Sequence, residues 1–170
     1  MKNPRSLTRD FLFQALYSKV FLGDTFDKEE LISSFFGEEC DCDEDMEIKD
    51  KNFVDKLDNV YFDEMFEGIV KKEGNLAHII GKFAPKFNIK SMPLINVIPI
   101  YIASYEILYL KCDKIPIKVC IDEAIEFTKT YGDEAGKILV NGILNSLKEN
   151  IELVRKEAKE SIQKENIFYS

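Results

Sequence analysis

The chain lacks the features that mark most functional classes. No apolar run approaches the roughly 18 residues that crossing a bilayer requires. Its first ten residues, MKNPRSLTRD, contain no hydrophobic signal region. These absences predict a cytoplasmic protein with no membrane contact. Histidine occurs once, at His78. Cys40 and Cys42 have one residue between them, Cys112 and Cys120 have seven, and neither spacing is that of a paired zinc knuckle. No metal is expected. Cys112 and Cys120 are expected to pack as small apolar groups, and Cys40 and Cys42 to lie in a loop. The acidic stretch GEECDCDEDMEIKDKN, residues 37–52, has no internal glycine at the midpoint that an EF-hand loop needs. No Gly-rich loop follows a strand, so the usual cofactor signature is missing. Glu106 and Glu123 resemble a carboxylate pair by type alone, but no nucleophile converges with them, and surface or helix-cap roles are expected. The chain therefore reads as a non-enzyme without a cofactor or small-molecule substrate. No segment sustains a period of two, which excludes a sheet.

What is present is helical patterning in a chain long enough for one domain: 170 residues, 45% hydrophobic. The net charge is −8, and it is unevenly placed. Residues 1–23 carry Lys2, Arg5, Arg9 and Lys19 against Asp10, a net of +3, whereas residues 24–50 carry twelve acids against Lys28 and Lys49, a net of −10. With a Debye length of about 8 Å, a distant acidic stretch is screened from the basic end. The total charge therefore does not exclude an anionic partner.

Apolar spacing predicts a helix over about 7–21, capped by Ser6 or Thr8 and stopped at Gly23. A second is expected over 28–36, a third over 53–72, and a short one over 76–83, with Gly74 and Asn75 as the break. Residues 97–110, VIPIYIASYEILYL, are apolar on nearly all sides and predict a central buried helix, with Asn96 as N-cap and Pro99 in the first turn. Helices over 116–130 and from 134 onward complete the set. The expected organisation is one helical domain over 1–155, with subdomains about 1–84 and 94–155 and the acidic loop at 37–52. Residues 156–170 are expected to form a helical or frayed tail.

Several segments carry a family resemblance. Ile115 to Leu147, IPIKVCIDEAIEFTKTYGDEAGKILVNGILNSL, has a Pro-led entry, an Asp-Glu-Ala helix start, a Tyr-Gly break and a Val-Asn-Gly helix. Upstream stand RDFLFQALY (Arg9 to Tyr17), then Tyr61, Phe62 and Gly68, then Ala103, Tyr105 and Glu106. In this order the residues resemble the NusB transcription-antitermination family, over about Arg5 to Leu147 with the acidic stretch as an insertion.

The resemblance implies an all-α fold of about seven helices in two roughly perpendicular three-helix bundles. It implies recognition of single-stranded boxA-like RNA together with the ribosomal protein NusE, within an RNA polymerase antitermination complex that supports ribosomal RNA transcription. The implied RNA-binding residues are Lys2, Arg5, Arg9, Gln14, Tyr131 and Lys137: the basic groups would meet phosphates and Tyr131 would stack a base. The implied partner-binding residues are Tyr17, Asn96 and Tyr101. Plainer roles stand beside these: Arg9 as a solvated first-turn charge, Tyr17, Tyr105 and Tyr131 as core or rim aromatics, and Asn141 and Gly142 as marks of close helix packing. The chain departs from the family pattern at Ser6, Leu7, Asn96, Val97, Tyr101, Ala135, Ile138 and Leu139. These departures motivate an alternative, a NusB-like protein-interaction module with weakened or lost RNA binding.

Overall fold

The structure is a computed structural model, and it describes residues 3–36, 56–160 and 168. Lys2, Cys40, Cys42 and the acidic stretch 37–52 lie outside the described residues, as does the expected helix start at 53. Among the described residues there are seven α-helices and no strand: α1 Pro4–Leu22, α2 Lys28–Phe36, α3 Asn59–Phe83, α4 Leu94–Leu108, α5 Ile117–Tyr131, α6 Glu134–Glu149 and α7 Ile151–Glu160. None of them is long and apolar enough to cross a membrane.

Helix α1 begins earlier than its apolar spacing predicts. Asn3, not Ser6 or Thr8, is the cap: its side chain accepts from the Ser6 N–H at 2.8 Å, with Pro4 at the first helical position. That pairing suits the chemistry of a helix start, where proline has no N–H to lose. The helix stops at Gly23, whose φ of 54° lies in the left-handed region that glycine enters without steric cost.

The predicted break at Gly74 and Asn75 does not occur, and α3 runs unbroken for 25 residues. A glycine inside a helix costs about 1 kcal/mol relative to alanine. Val70, Leu76, Ile79 and Ile80 are buried on both sides of it. Each such burial stabilises by about 1.5–3 kcal/mol, which outweighs the local preference. In the other direction, one predicted long helix is two, because Asn150 leaves helical geometry (φ −109°, ψ 23°) between α6 and α7.

Helix α4 is the central element, packing against α1, α3, α5 and α6. Every residue from Asn96 to Glu106 is buried. The N-cap is Pro93 rather than Asn96, so Pro99 sits inside the helix and not in its first turn. The lost hydrogen bond is tolerated because the flanking Val97, Ile98 and Ile100 are fully buried. Helix α7 lies against α3, held by Lys82 Nζ to Glu157 at 2.9 Å, with Val154 buried and Phe168 also in the core.

Two glycines set close approaches. A Cβ at Gly68 would run into the Tyr105 ring, and one at Gly136 would lie 2.6 Å from Asn96 Oδ1. Gly142, expected to mark close packing, instead faces open space. Opposite outcomes are therefore expected in denaturant unfolding. Gly142→Ala should stabilise by about 0.4–1 kcal/mol. Gly68→Ala should destabilise by about 1–2 kcal/mol, because overpacking against Tyr105 exceeds the gain in helix propensity.

Candidate nucleic-acid interface

The candidate interface is built on α1, which turns one face to the core through Phe11, Leu12, Ala15 and Leu16. Arg9 lies on that inner side. Its Nε donates to Glu106 Oε1 at 2.8 Å and its Nη2 to Oε2 at 2.9 Å, a bidentate pair with only 9% of the Arg9 side chain and 1% of the Glu106 side chain exposed. The Tyr61 hydroxyl donates to the same carboxylate at 2.7 Å, and the Cys120 thiol at 3.5 Å. Arg9 Nη1 is 3.8 Å from Glu123, which also accepts from the Ser6 hydroxyl at 3.1 Å.

Arg9 is thus no solvated first-turn charge, and Glu106 is neither a surface nor a capping group. Burial alone would lower the Arg9 pKa, but the hydrogen bonds and charge of Glu106 hold it well above the ordinary value. Burial and then the Glu106 charge push the Cys120 thiol up to about 12. Cys120 is packed as expected, but Cys112 is exposed. Arg5 is engaged in a similar way. It meets Asp58 at 2.8 Å and Asp113 at 3.1 Å, and its guanidinium carbon lies 4.3 Å from the Tyr61 ring centroid.

The outer side of α1 carries a row of aromatic rings. Phe21 and Tyr17 are 5.1 Å apart, Tyr17 and Phe13 are 6.0 Å apart, and Phe13 crosses to Phe127 of α5 at 4.3 Å. Phe127 continues to Tyr131 at 4.8 Å. The outer members are exposed: Phe21 by 67%, Tyr131 by 53% and Tyr17 by 40%. Both segments follow from i, i+4 spacing, which places side chains on one helix face. Tyr17 and Tyr131 are expected from the sequence and Phe13, Phe21 and Phe127 are not, although the i, i+4 spacing marks all five.

Two clefts flank the row. One, of about 430 Å³, is lined by Phe13, Gln14, Tyr17, Pro93, Leu94 and Ile95. The other, of about 290 Å³, lies between α1, α4 and α5, with Arg9, Glu106 and Phe127 in its walls.

The structure brings Gln14, Tyr17 and Tyr131 to this face, with Arg9 in the wall of one flanking cleft. Lys137 is 3.7 Å from Glu134 on the first turns of α6. Asn96 is buried, and its Oδ1 has no hydrogen-bond partner among the described residues. Tyr101 is fully buried and donates its hydroxyl to Glu73. Among the described residues no group of three or more His, Cys, Asp or Glu side chains is arranged to hold a metal.

Fold and face together define an all-α scaffold protein with an exposed aromatic surface. Residues 6–149 match the model of the NusB family, and the chain belongs to that family. It is 31% identical over 101 residues to the transcription antitermination protein NusB of Caldicellulosiruptor saccharolyticus, covering 59% of this chain and 75% of that one. To the NusB of Halothermothrix orenii it is 36% identical over 98 residues, covering 58% and 69%. A solved structure of T. maritima NusB superposes with a TM-score of 0.64 at 27% identity, over 95% of this chain and 100% of that one.

Proposed function

We propose that the chain acts as a transcription antitermination factor in the cytoplasm, binding single-stranded boxA-like RNA jointly with NusE in support of ribosomal RNA transcription by RNA polymerase. The observation that carries this reading is the row Phe21–Tyr17–Phe13–Phe127–Tyr131, because its exposed rings, Phe21, Tyr17 and Tyr131, suit unpaired bases and Phe13 and Phe127 join them. In this reading Tyr131 stacks a base and Gln14 contacts the strand beside the row. Lys2 and Lys137 add positive charge. Arg5 and Arg9 act mainly by fixing α1, since carboxylates already hold both guanidinium groups. The groove of Gln14, Tyr17, Pro93 and Leu94 receives NusE, and buried Asn96 and Tyr101 serve that contact by fixing α4.

A second reading, a protein-interaction module with weakened RNA binding, is favoured by one fact: Arg5, Arg9 and Lys137 all have carboxylate partners within the chain. Fluorescence anisotropy with a labelled single-stranded RNA at low salt separates the two. The first reading expects binding that NusE strengthens, and a loss of roughly 5- to 150-fold in Tyr131→Ala, the worth of about 1–3 kcal/mol for one stacked base. Recovery of NusE in a pull-down with no RNA binding at low salt establishes the second.

A further inference from the structure

The carboxylates that hold the two arginines of α1 are not equivalent. Glu106 grips Arg9 through two bonds, and its side chain is only 1% exposed. Arg5 instead has one bond to each of two partners. Its Nη2 donates to Asp58 at 2.8 Å and its Nη1 to Asp113 at 3.1 Å. Asp58 belongs to the fold, because it also caps α3 by accepting from the Tyr61 N–H at 3.1 Å. Asp113 lies in the linker between α4 and α5, and its side chain is 48% exposed. Its other oxygen accepts from the adjacent Lys114 N–H at 2.7 Å. The Arg5 Nε is buried and has no hydrogen-bond partner among the described residues, so these contacts leave the guanidinium incompletely paired.

An exposed ion pair contributes little to stability, since water competes for both charges. An RNA phosphate offers an arginine a stronger partner, with oxygens that match its fork of donors. The backbone of the linker is anchored independently of Asp113: Glu64 accepts from the N–H groups of Lys111 and Cys112, each at 2.9 Å. The Asp113 carboxylate can therefore turn away while the linker stays in place. Residues 109–116 carry Lys111 and Lys114 against Asp113, a net of +1, so the surroundings do not oppose an incoming phosphate. Arg5 precedes Phe13 by eight positions on α1, about 12 Å along the helix axis, and one strand can span both.

We propose that Asp113 is an intramolecular competitor for RNA. Its carboxylate occupies the Arg5 Nη1 donor in the free protein, and a backbone phosphate of the RNA displaces it. The proposal rests on the RNA-binding reading above. It makes the Arg5–Asp113 pair a brake on affinity, while the Arg9–Glu106 pair stays closed and holds α1.

The test is fluorescence anisotropy with a labelled single-stranded RNA of about 12 nucleotides, with NusE present, over a range of salt. Asp113→Asn removes the charge and keeps an acceptor for the Lys114 N–H. It should bind up to about fivefold more tightly, the worth of one exposed ion pair. Its slope of log affinity against log salt should steepen by about 0.7, the value for one further phosphate on a single strand. Asp63→Asn removes the same charge from the exposed pair with Lys28 and should change neither quantity. The gain should vanish in an Arg5→Met background, with circular dichroism checking that each variant is folded. Wild-type binding with unchanged affinity and slope in Asp113→Asn overturns the brake and leaves the RNA reading standing. A gain that persists without Arg5, or that Asp63→Asn matches, also overturns the brake. Binding by Asp113→Asn alone supports both proposals, and binding by neither protein at low salt overturns both.

Discussion

Glu106→Ala is expected to destabilise the fold by about 3–5 kcal/mol, because it removes the bidentate counter-charge of a buried guanidinium. Glu106 accepts from Arg9 at 2.8 and 2.9 Å, from the Tyr61 hydroxyl at 2.7 Å and from the Cys120 thiol at 3.5 Å. Removing the carboxylate leaves the Tyr61 hydroxyl without its acceptor and Arg9 with only Glu123, at 3.8 Å, as a counter-charge. Against a typical total stability of about 5–15 kcal/mol, such a loss is visible as a large fall in the denaturant midpoint. The double variant Arg9→Met/Glu106→Leu is expected to recover most of it, since a buried ion pair is often no better than apolar groups of similar volume. A single variant costing under 1 kcal/mol would mean that the pair is solvated, and α1 would then owe its placement to apolar packing alone.

This ion pair explains why one part of the site was legible in the sequence and another was not. Helical spacing marks which positions face inward, but it does not say that an inward charge has found a partner 97 residues away. Arg9, one residue before the acidic Asp10 near the chain start, looks like a solvated first-turn residue. Only the packing of α1 on α4 brings Glu106 to it. The same limit applies to Arg5 with Asp58 and Asp113, and to Tyr101 with Glu73. Their partners lie on other elements, and no local pattern announces them.

The elements themselves were easier to read where local and tertiary preferences agreed. Helix α2 falls on Lys28–Phe36, and α5 and α6 meet at Gly132 and Asp133, as the turn residues predict. Asp133 accepts from the Gly136 N–H at 2.7 Å, a side-chain cap that the sequence shows directly. Elsewhere burial overrides a local signal. Gly74 and Asn75 look like a stop, yet buried side chains on both sides carry α3 through them. Pro99 looks like a first-turn residue, yet α4 begins five positions earlier, at Leu94. Glycine is ambiguous for a related reason: Gly68 and Gly142 look alike in the sequence, and only the position of Tyr105 distinguishes them.

Phe13 joins the fold to the proposed activity, so two substitutions there should separate packing from recognition. The ring is 5% exposed and bridges Tyr17 on α1 to Phe127 on α5, at 6.0 and 4.3 Å. Phe13→Ala opens a cavity between the helices and is expected to cost about 3–5 kcal/mol, read as a fall in the denaturant midpoint. Phe13→Leu keeps most of the volume and should cost less than about 1.5 kcal/mol. It nevertheless removes the central ring, so Tyr17 and Tyr131 lose the aromatic contact that orders them into one row. If bases stack along that row, Phe13→Leu should bind single-stranded RNA about tenfold more weakly while remaining folded, because each stacked base is worth about 1–3 kcal/mol and a disordered platform forfeits part of that. Circular dichroism melts and anisotropy titrations on the same samples decide the matter. Unchanged affinity in Phe13→Leu, with affinity lost in Tyr131→Ala, would confine recognition to the α5 end and make the α1 rings available to NusE alone.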